Sequence, residues 1–267
     1  MGISADLTPV LYLPHGGGPL PLMENPGHKN LTHFLESLSA RFQKPEAIVL
    51  ISAHWEAGQV MLTSAAQPSL LYDYYGFPEQ AYQITYPAPG DPQLAEYAAD
   101  LLRKNNIEVG FNLERGFDHG VFIPLKLIYP EASIPCVQLS LKQGLNPQEH
   151  INIGRAIAPL RKNNVLIIGS GLSFHNMQAL MRPVSGKDKG NEAFHDWLLE
   201  TCASKNMSES VRERRLIEWQ QAPSAAYAHP REEHLLPLHV CYGASEQPAS
   251  VIFNDTMMGK KVCGFQW

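Results

Sequence analysis

The sequence predicts one α/β domain over residues 1–267, with a central, mostly parallel or mixed sheet flanked by helices. Three observations predict it. Short, β-branched apolar runs at 10–13, 47–52, 136–140 and 165–169 are bounded by Gly, Pro or polar residues, as buried strands are. Amphipathic stretches between them are long enough to be the crossovers that parallel strands require. A chain of 267 residues, 44% of them hydrophobic, can bury a core without help from disulfides or metal.

The elements follow in chain order. The run at 10–13 opens the sheet, and an amphipathic helix over 28–43 leads to the strand at 47–52. Residues 68–92 contain Tyr72-Asp-Tyr-Tyr-Gly-Phe-Pro and Tyr86-Pro-Ala-Pro-Gly and read as an ordered binding loop, since flexible linkers are poor in aromatics. Asp91 before Pro92 and Asn146 before Pro147 each set a capping side chain ahead of a proline, which predicts helices over 92–105 and 147–163. Further helices are expected over 120–129, 190–204, 209–221 and 231–243, and closing strands over 250–253 and 261–265. Residues 182–190 read as a polar connector. No internal repeat or domain boundary is visible.

Composition narrows the function classes. Lys and Arg number 21 against 26 Asp and Glu, a formal charge of −5. Nucleic-acid binders favour a basic surface, so nucleic acid is not expected as a partner. No apolar run approaches the roughly 18 residues of a membrane span, and residues 1–9 lack the features of a signal peptide, so no membrane partner is expected. Cys136, Cys202, Cys241 and Cys263 are scattered and form no C-x-x-C. They read as reduced thiols of a cytoplasmic protein.

The histidines carry the chemical signal. His15 follows the first strand and opens into Gly16-Gly-Gly; His54 follows the second strand; His175 follows the strand at 165–169. Ligands of open α/β sheets bind at the carboxyl ends of the strands, so these three can converge in one cleft. His119, before the helix at 120–129, and His234, near the start of another, can join them. Singly, each is a common hydrogen-bonded structural residue; repetition of one position points to a transition-metal site, since imidazole suits Zn, Fe, Cu and Ni. His28, His33, His150 and His195 read as solvated, and His239 as a core histidine. Tyr72, Tyr74, Tyr75 and Phe77 are either core or one wall of a pocket. Phosphate-loop, dinucleotide, nucleophile-elbow and H-E-x-x-H motifs are all absent.

Seven segments in order, Leu13-Pro-His-Gly-Gly-Gly-Pro, Ser52-Ala-His-Trp, Tyr75-Gly-Phe-Pro, Tyr86-Pro-Ala-Pro-Gly, Gly116-Phe-Asp-His-Gly, Phe174-His-Asn and Pro230-Arg-Glu-Glu-His-Leu-Leu-Pro-Leu, resemble the class III extradiol ring-cleavage dioxygenases. The branch they resemble is the 4,5-DOPA extradiol dioxygenase type. The resemblance implies a non-haem Fe(II) and the oxygen-dependent opening of a small catechol beside one of its hydroxyls, with catechol and O₂ as the partners. It implies His15, His54 and His234 as metal ligands. It implies His175 as acid/base beside the metal or as a further ligand, and His119 as a second proton-handling or substrate-orienting residue. Many Fe(II) oxygenases use two His and one carboxylate, whereas three imidazoles also resemble a His₃ zinc site. Zn(II) as the bound metal, and a His₃ zinc hydrolase, are therefore the alternatives; a binding protein that has lost the chemistry is a third.

Overall fold

The computed structural model describes residues 7–182 and 186–267. Residues 1–6, which include most of the amino-terminal stretch read above, and the middle of the connector predicted at 182–190 lie outside the described residues. Eight strands pair among those described: β1 (Val10–Pro14), β2 (Ala47–Ala57), β3 (Val60–Thr63), β4 (Val109–Asn112), β5 (Cys136–Lys142), β6 (Val165–Gly171), β7 (Ser250–Met257) and β8 (Lys260–Gln266). They form one sheet in the order β4-β3-β5-β2-β6-β1-β8-β7. The four runs read as strands are its centre, β5, β2, β6 and β1, all mutually parallel. Their near-continuous apolar sequence has no polar face to offer water, which suits strands covered on both sides. The closing strands form an antiparallel hairpin whose β8 pairs with β1, turned by Met258 and Gly259 at φ +51° and +75°. Two left-handed residues match the twist of the flanking strands. β3 and β4 escaped the sequence reading because they are short and β4 is a half-exposed edge strand carrying Gly110.

The helices are α1 (Lys29–Leu38), α2 (Pro92–Lys104), α3 (His119–Ile128), α4 (Pro147–Ile157), α5 (Met177–Leu180), α6 (Lys189–Ala203), α7 (Glu209–Ile217), α8 (Ala225–Ala228) and α9 (Leu236–Gly243). The predicted caps form: Asp91 accepts from the Leu94 N–H at 2.9 Å and Asn146 from the Glu149 N–H at 3.2 Å. The helix predicted to reach 163 instead tightens into a 3₁₀ segment, Ala158–Asn163. Pro159 has no N–H and its ring crowds the preceding turn. The helix predicted over 231–243 begins only at Leu236, with Pro237 in its first turn, and residues 231–235 are turns.

Alternation along β6 separates the two helix layers. Ser170 donates to the Gly120 carbonyl of α3, whereas a Cβ on Gly169 or Gly171 would meet the Pro237 and His234 carbonyls on the opposite face. Only glycine lets α9 and its leading turn approach this closely. The loop at 68–92 is ordered, as its aromatics predict: Tyr72 Oη donates to the Ile84 carbonyl at 2.7 Å and Tyr74 Oη to that of Ala81 at 2.6 Å. Its aromatics divide between the two readings, with Tyr74 buried, Tyr72 and Phe77 half-buried, and Tyr75 90% exposed. The four cysteines are free and buried, and no described helix is long and apolar enough to cross a membrane.

Three histidines read as solvated are buried instead, and only His33 is exposed. His28 accepts from the Gly17 N–H at 3.0 Å, His150 accepts from the Lys142 N–H at 3.2 Å, and His195 Nε2 meets Asn254 Oδ1 at 2.9 Å. Each trades water for a partner on another element, which helix periodicity does not reveal. His239 is a core histidine, as read, with Nε2 2.8 Å from the Leu216 carbonyl.

Burial pushes His150 and His239 down to about 4 each. Between that value and the unfolded value of about 6.5, the unfolded chain binds protons that the folded chain does not, so stability falls as pH drops. Each histidine contributes on the order of 3 kcal/mol to this loss. The urea midpoint of metal-free protein is expected to fall steadily from pH 6.5 to pH 4; a constant midpoint would contradict neutral burial.

Candidate metal centre

The order β2-β6-β1 opens three carboxyl ends side by side, the position where open α/β sheets bind ligands. His15 follows β1 directly. His54 was expected after its strand but lies within β2, which continues to Ala57. The ladder to β5 breaks after Ile51 and resumes at Glu56, and His54 sits in this irregular stretch. Bulges of this kind re-aim side chains. His119 is the first residue of α3, His175 lies between β6 and α5, and His234 lies in the turn before α9. The His234 carbonyl accepts from Tyr12 Oη at 2.9 Å and from the Leu172 N–H at 3.1 Å, which fixes this turn to β1 and to the end of β6.

All five histidines come together. The ring centroids of His15, His54 and His234 are 4.9, 5.3 and 4.8 Å apart pairwise, with interplanar angles of 54°, 57° and 80°. His119 packs on the His54 ring at 3.9 Å, and His175 stacks on the His234 ring at 3.4 Å. Potential ligand atoms fall into two adjacent groups, His15 with His54 and His119, and His175 with Glu233 and His234.

What makes the cluster chemically specific is the outward nitrogen of each ring. Ser170 donates its one hydroxyl hydrogen to the Gly120 carbonyl, so its oxygen accepts a hydrogen bond from His15 Nδ1 at 3.0 Å. His234 Nδ1 donates to Glu233 Oε1 at 2.9 Å, and the same oxygen lies 3.2 Å from His175 Nδ1. His119 Nδ1 donates to Asp73 Oδ1 at 2.7 Å. In each of these bonded rings the proton is on Nδ1 and Nε2 carries the lone pair. Burial, with the neighbouring imidazoles adding to it, pushes His15, His54 and His234 well below the ordinary histidine range, so all three are neutral near pH 7. Burial pushes the Glu233 carboxyl up, but its hydrogen bond and charge contacts with His175 and Arg231 outweigh this and hold it down.

A second network supports His54. Buried Asp118 accepts from Ser52 Oγ at 2.6 Å, from Arg115 Nη2 at 3.0 Å and from Gln138. Arg115 Nη2 also donates to the His54 carbonyl at 3.1 Å, and its guanidinium lies 4.7 Å above the Trp55 ring. Burial, then the charge of Asp73, raises the Asp118 carboxyl. Gly120 is required here, because a Cβ would overlap Ser52 Oγ and crowd His54. Sequence reading missed Ser170, Asp73, Arg115 and Asp118 as parts of the site. Ser170 was visible only as the residue between two glycines at a strand end, and Asp73 only as the acid in an aromatic loop.

The residues fit a divalent transition-metal ion. His15 Nε2 and His54 Nε2 lie 3.1 Å apart. Two nitrogens each about 2.1 Å from one ion, at angles of roughly 90–110°, are separated by about 3.0–3.4 Å. Neutral imidazoles with bonded outward nitrogens are the usual form of metal-binding histidine, whereas Ca and Mg prefer oxygen.

Comparison with known proteins agrees with this chemistry. Residues 9–263 match the family described as the catalytic LigB subunit of aromatic ring-opening dioxygenase. The chain is 38% identical to the dioxygenase TasH of Hapsidospora irregularis, with 98% of this chain and 86% of that protein covered. It is also 38% identical to a protein of Beta vulgaris named 4,5-DOPA dioxygenase extradiol, with 96% and 94% covered. The crystal structure of an uncharacterized protein from Escherichia coli K12 superposes with a TM-score of 0.79 at 28% identity, covering 97% of this chain and 99% of that one. These likenesses lend no support to a zinc hydrolase. With five converging histidines and a family match along nearly its whole length, the chain belongs to the LigB family of aromatic ring-opening dioxygenases and is a non-haem, metal-dependent extradiol dioxygenase.

Proposed function

We propose that the protein opens the ring of a small, DOPA-like catechol beside one of its hydroxyls, using Fe(II) and placing both atoms of O₂ in the product. The observation that carries this reading is the threefold set of His15, His54 and His234, nearly equally spaced, with His119 and His175 each resting on a ring of that set. The relatives named 4,5-DOPA dioxygenase extradiol support the substrate class. The four buried, free thiols support a reducing, cytoplasmic setting.

His15, His54 and His234 would hold the ion. Bound Fe(II) supplies the redox path between ring and O₂, together with Lewis acidity that eases loss of the catechol proton. His175 takes that proton and returns it to oxygen later in the reaction. Its Nδ1 faces the Glu233 carboxylate, so Nε2 is the nitrogen free to do this, and a carboxylate partner stabilises the ring when it is charged. His119, with Nδ1 bound to Asp73, orients the substrate's second oxygen or serves as a second proton site. Zn(II) suits the same donors and binds more tightly than Fe(II), but it has no redox chemistry and would hold the enzyme inactive.

Metal-free protein reconstituted anaerobically with Fe(II), then given O₂ and DOPA, is expected to consume O₂ equimolar with rings opened. The zinc-loaded form is expected to show no uptake. Equal turnover with zinc, or no uptake with any catechol under Fe(II), would contradict the proposal.

His175→Gln is expected to retain stoichiometric metal while kcat falls by ~10²–10⁴, the scale of a lost general acid/base. Loss of the metal instead would move His175 into the ligand set and leave the proton work to His119.

A further inference from the structure

Asp73 lies in the aromatic loop, outside every strand and helix, yet its carboxylate reaches two site histidines carried by different elements. Its Oδ1 accepts from the His119 backbone N–H at 3.0 Å and from His119 Nδ1 at 2.7 Å. Its Oδ2 lies 3.7 Å from His54 Nδ1. The loop is tied to the segment directly before His119. The Leu71 N–H donates to the Phe117 carbonyl at 2.8 Å, and the Phe117 N–H donates to the Ser69 carbonyl at 2.8 Å. The next residue, Tyr74, is buried, with its ring 5.8 Å from that of His119. The position of Asp73 is therefore built, not incidental.

A carboxyl group is a stronger acid than an imidazolium, so across the 2.7 Å contact the proton sits on His119 Nδ1 and Asp73 Oδ1 accepts the hydrogen bond. At 3.7 Å the contact with His54 is beyond hydrogen-bond range, so His119 is the ring that Asp73 holds.

We propose that Asp73 is a positioning residue for His119, holding its ring in the tautomer that leaves Nε2 unprotonated. The bond also fixes ring orientation and stabilises the imidazolium that forms whenever His119 accepts a proton. An Asp behind a catalytic histidine does this work in hydrolases on unrelated folds. The role of His119 rests on the function proposed above; its tautomer does not.

The test is nitrogen-15 NMR of histidine-labelled, metal-free protein, with His119 assigned from its His→Gln variant. The native chain is expected to show His119 protonated at Nδ1, and Asp73→Asn to shift it toward a mixed or Nε2–H form. Asp73→Glu, which keeps the carboxylate, is expected to restore part of the native signal. In the Fe(II) form, Asp73→Asn is expected to keep its metal and KM while kcat falls by ~10²–10⁴. His119 protonated at Nε2 in the native chain, or an unchanged tautomer and kcat in Asp73→Asn, would overturn the inference. The expected tautomer shift in a native protein that turns over no catechol would leave this inference standing and sink the proposed function.

Discussion

An imidazole can offer a lone pair to a shared centre only if its proton sits on the other nitrogen, and the site is organised around that constraint. Ser170 occupies the outward side of His15, Glu233 that of His234, and Asp73 that of His119. These partners come from β6, the turn before α9 and the aromatic loop, so the site draws the fold together around it. A ring without such a partner could rotate or exchange tautomers, and each such freedom would have to be lost on binding an ion. Partners of this kind are as much a part of a metal site as its ligands.

The same requirement explains the glycines around the cleft. Ser170 can reach both His15 and Gly120 only because α3 starts against β2, where a Cβ on Gly120 would overlap Ser52. His234 can enter from the opposite layer because Gly171 gives its backbone room, and Tyr12 and Leu172 then hold its carbonyl. Asp118 and Arg115 brace the irregular stretch of β2 behind His54: they pair with one another, and Arg115 also grips the His54 carbonyl. Paired, such groups enforce a single arrangement; unpaired, they would be costly.

Much of this was legible in the sequence, for physical reasons. Parallel strands buried on both sides must be apolar, so β1, β2, β5 and β6 stood out, and their ends located His15, His54 and His175. The motif order located His119 and His234 as well. Strands β3 and β4 were invisible because both are only four residues long, and β4 is a half-exposed edge strand with a glycine that reads as a turn. The burial of His28, His150 and His195 was misread because each is satisfied by a partner on another element, and periodicity reports only which face a residue occupies. Ser170 and Asp73 were passed over for the same reason: a serine between glycines and an acid among tyrosines acquire meaning only when a histidine from another element arrives beside them.

If the outward partners preorganise the ligand set, Ser170 is the sharpest case, because it touches His15 and contributes no ligand. The direct measurement is the Fe(II) affinity of Ser170→Ala against the native chain, with folding of both checked by circular dichroism. Affinity is expected to weaken by about 10–100-fold, the usual scale for losing an outer partner of a metal-binding histidine, with the fold retained. Unchanged affinity in a folded Ser170→Ala protein would contradict it.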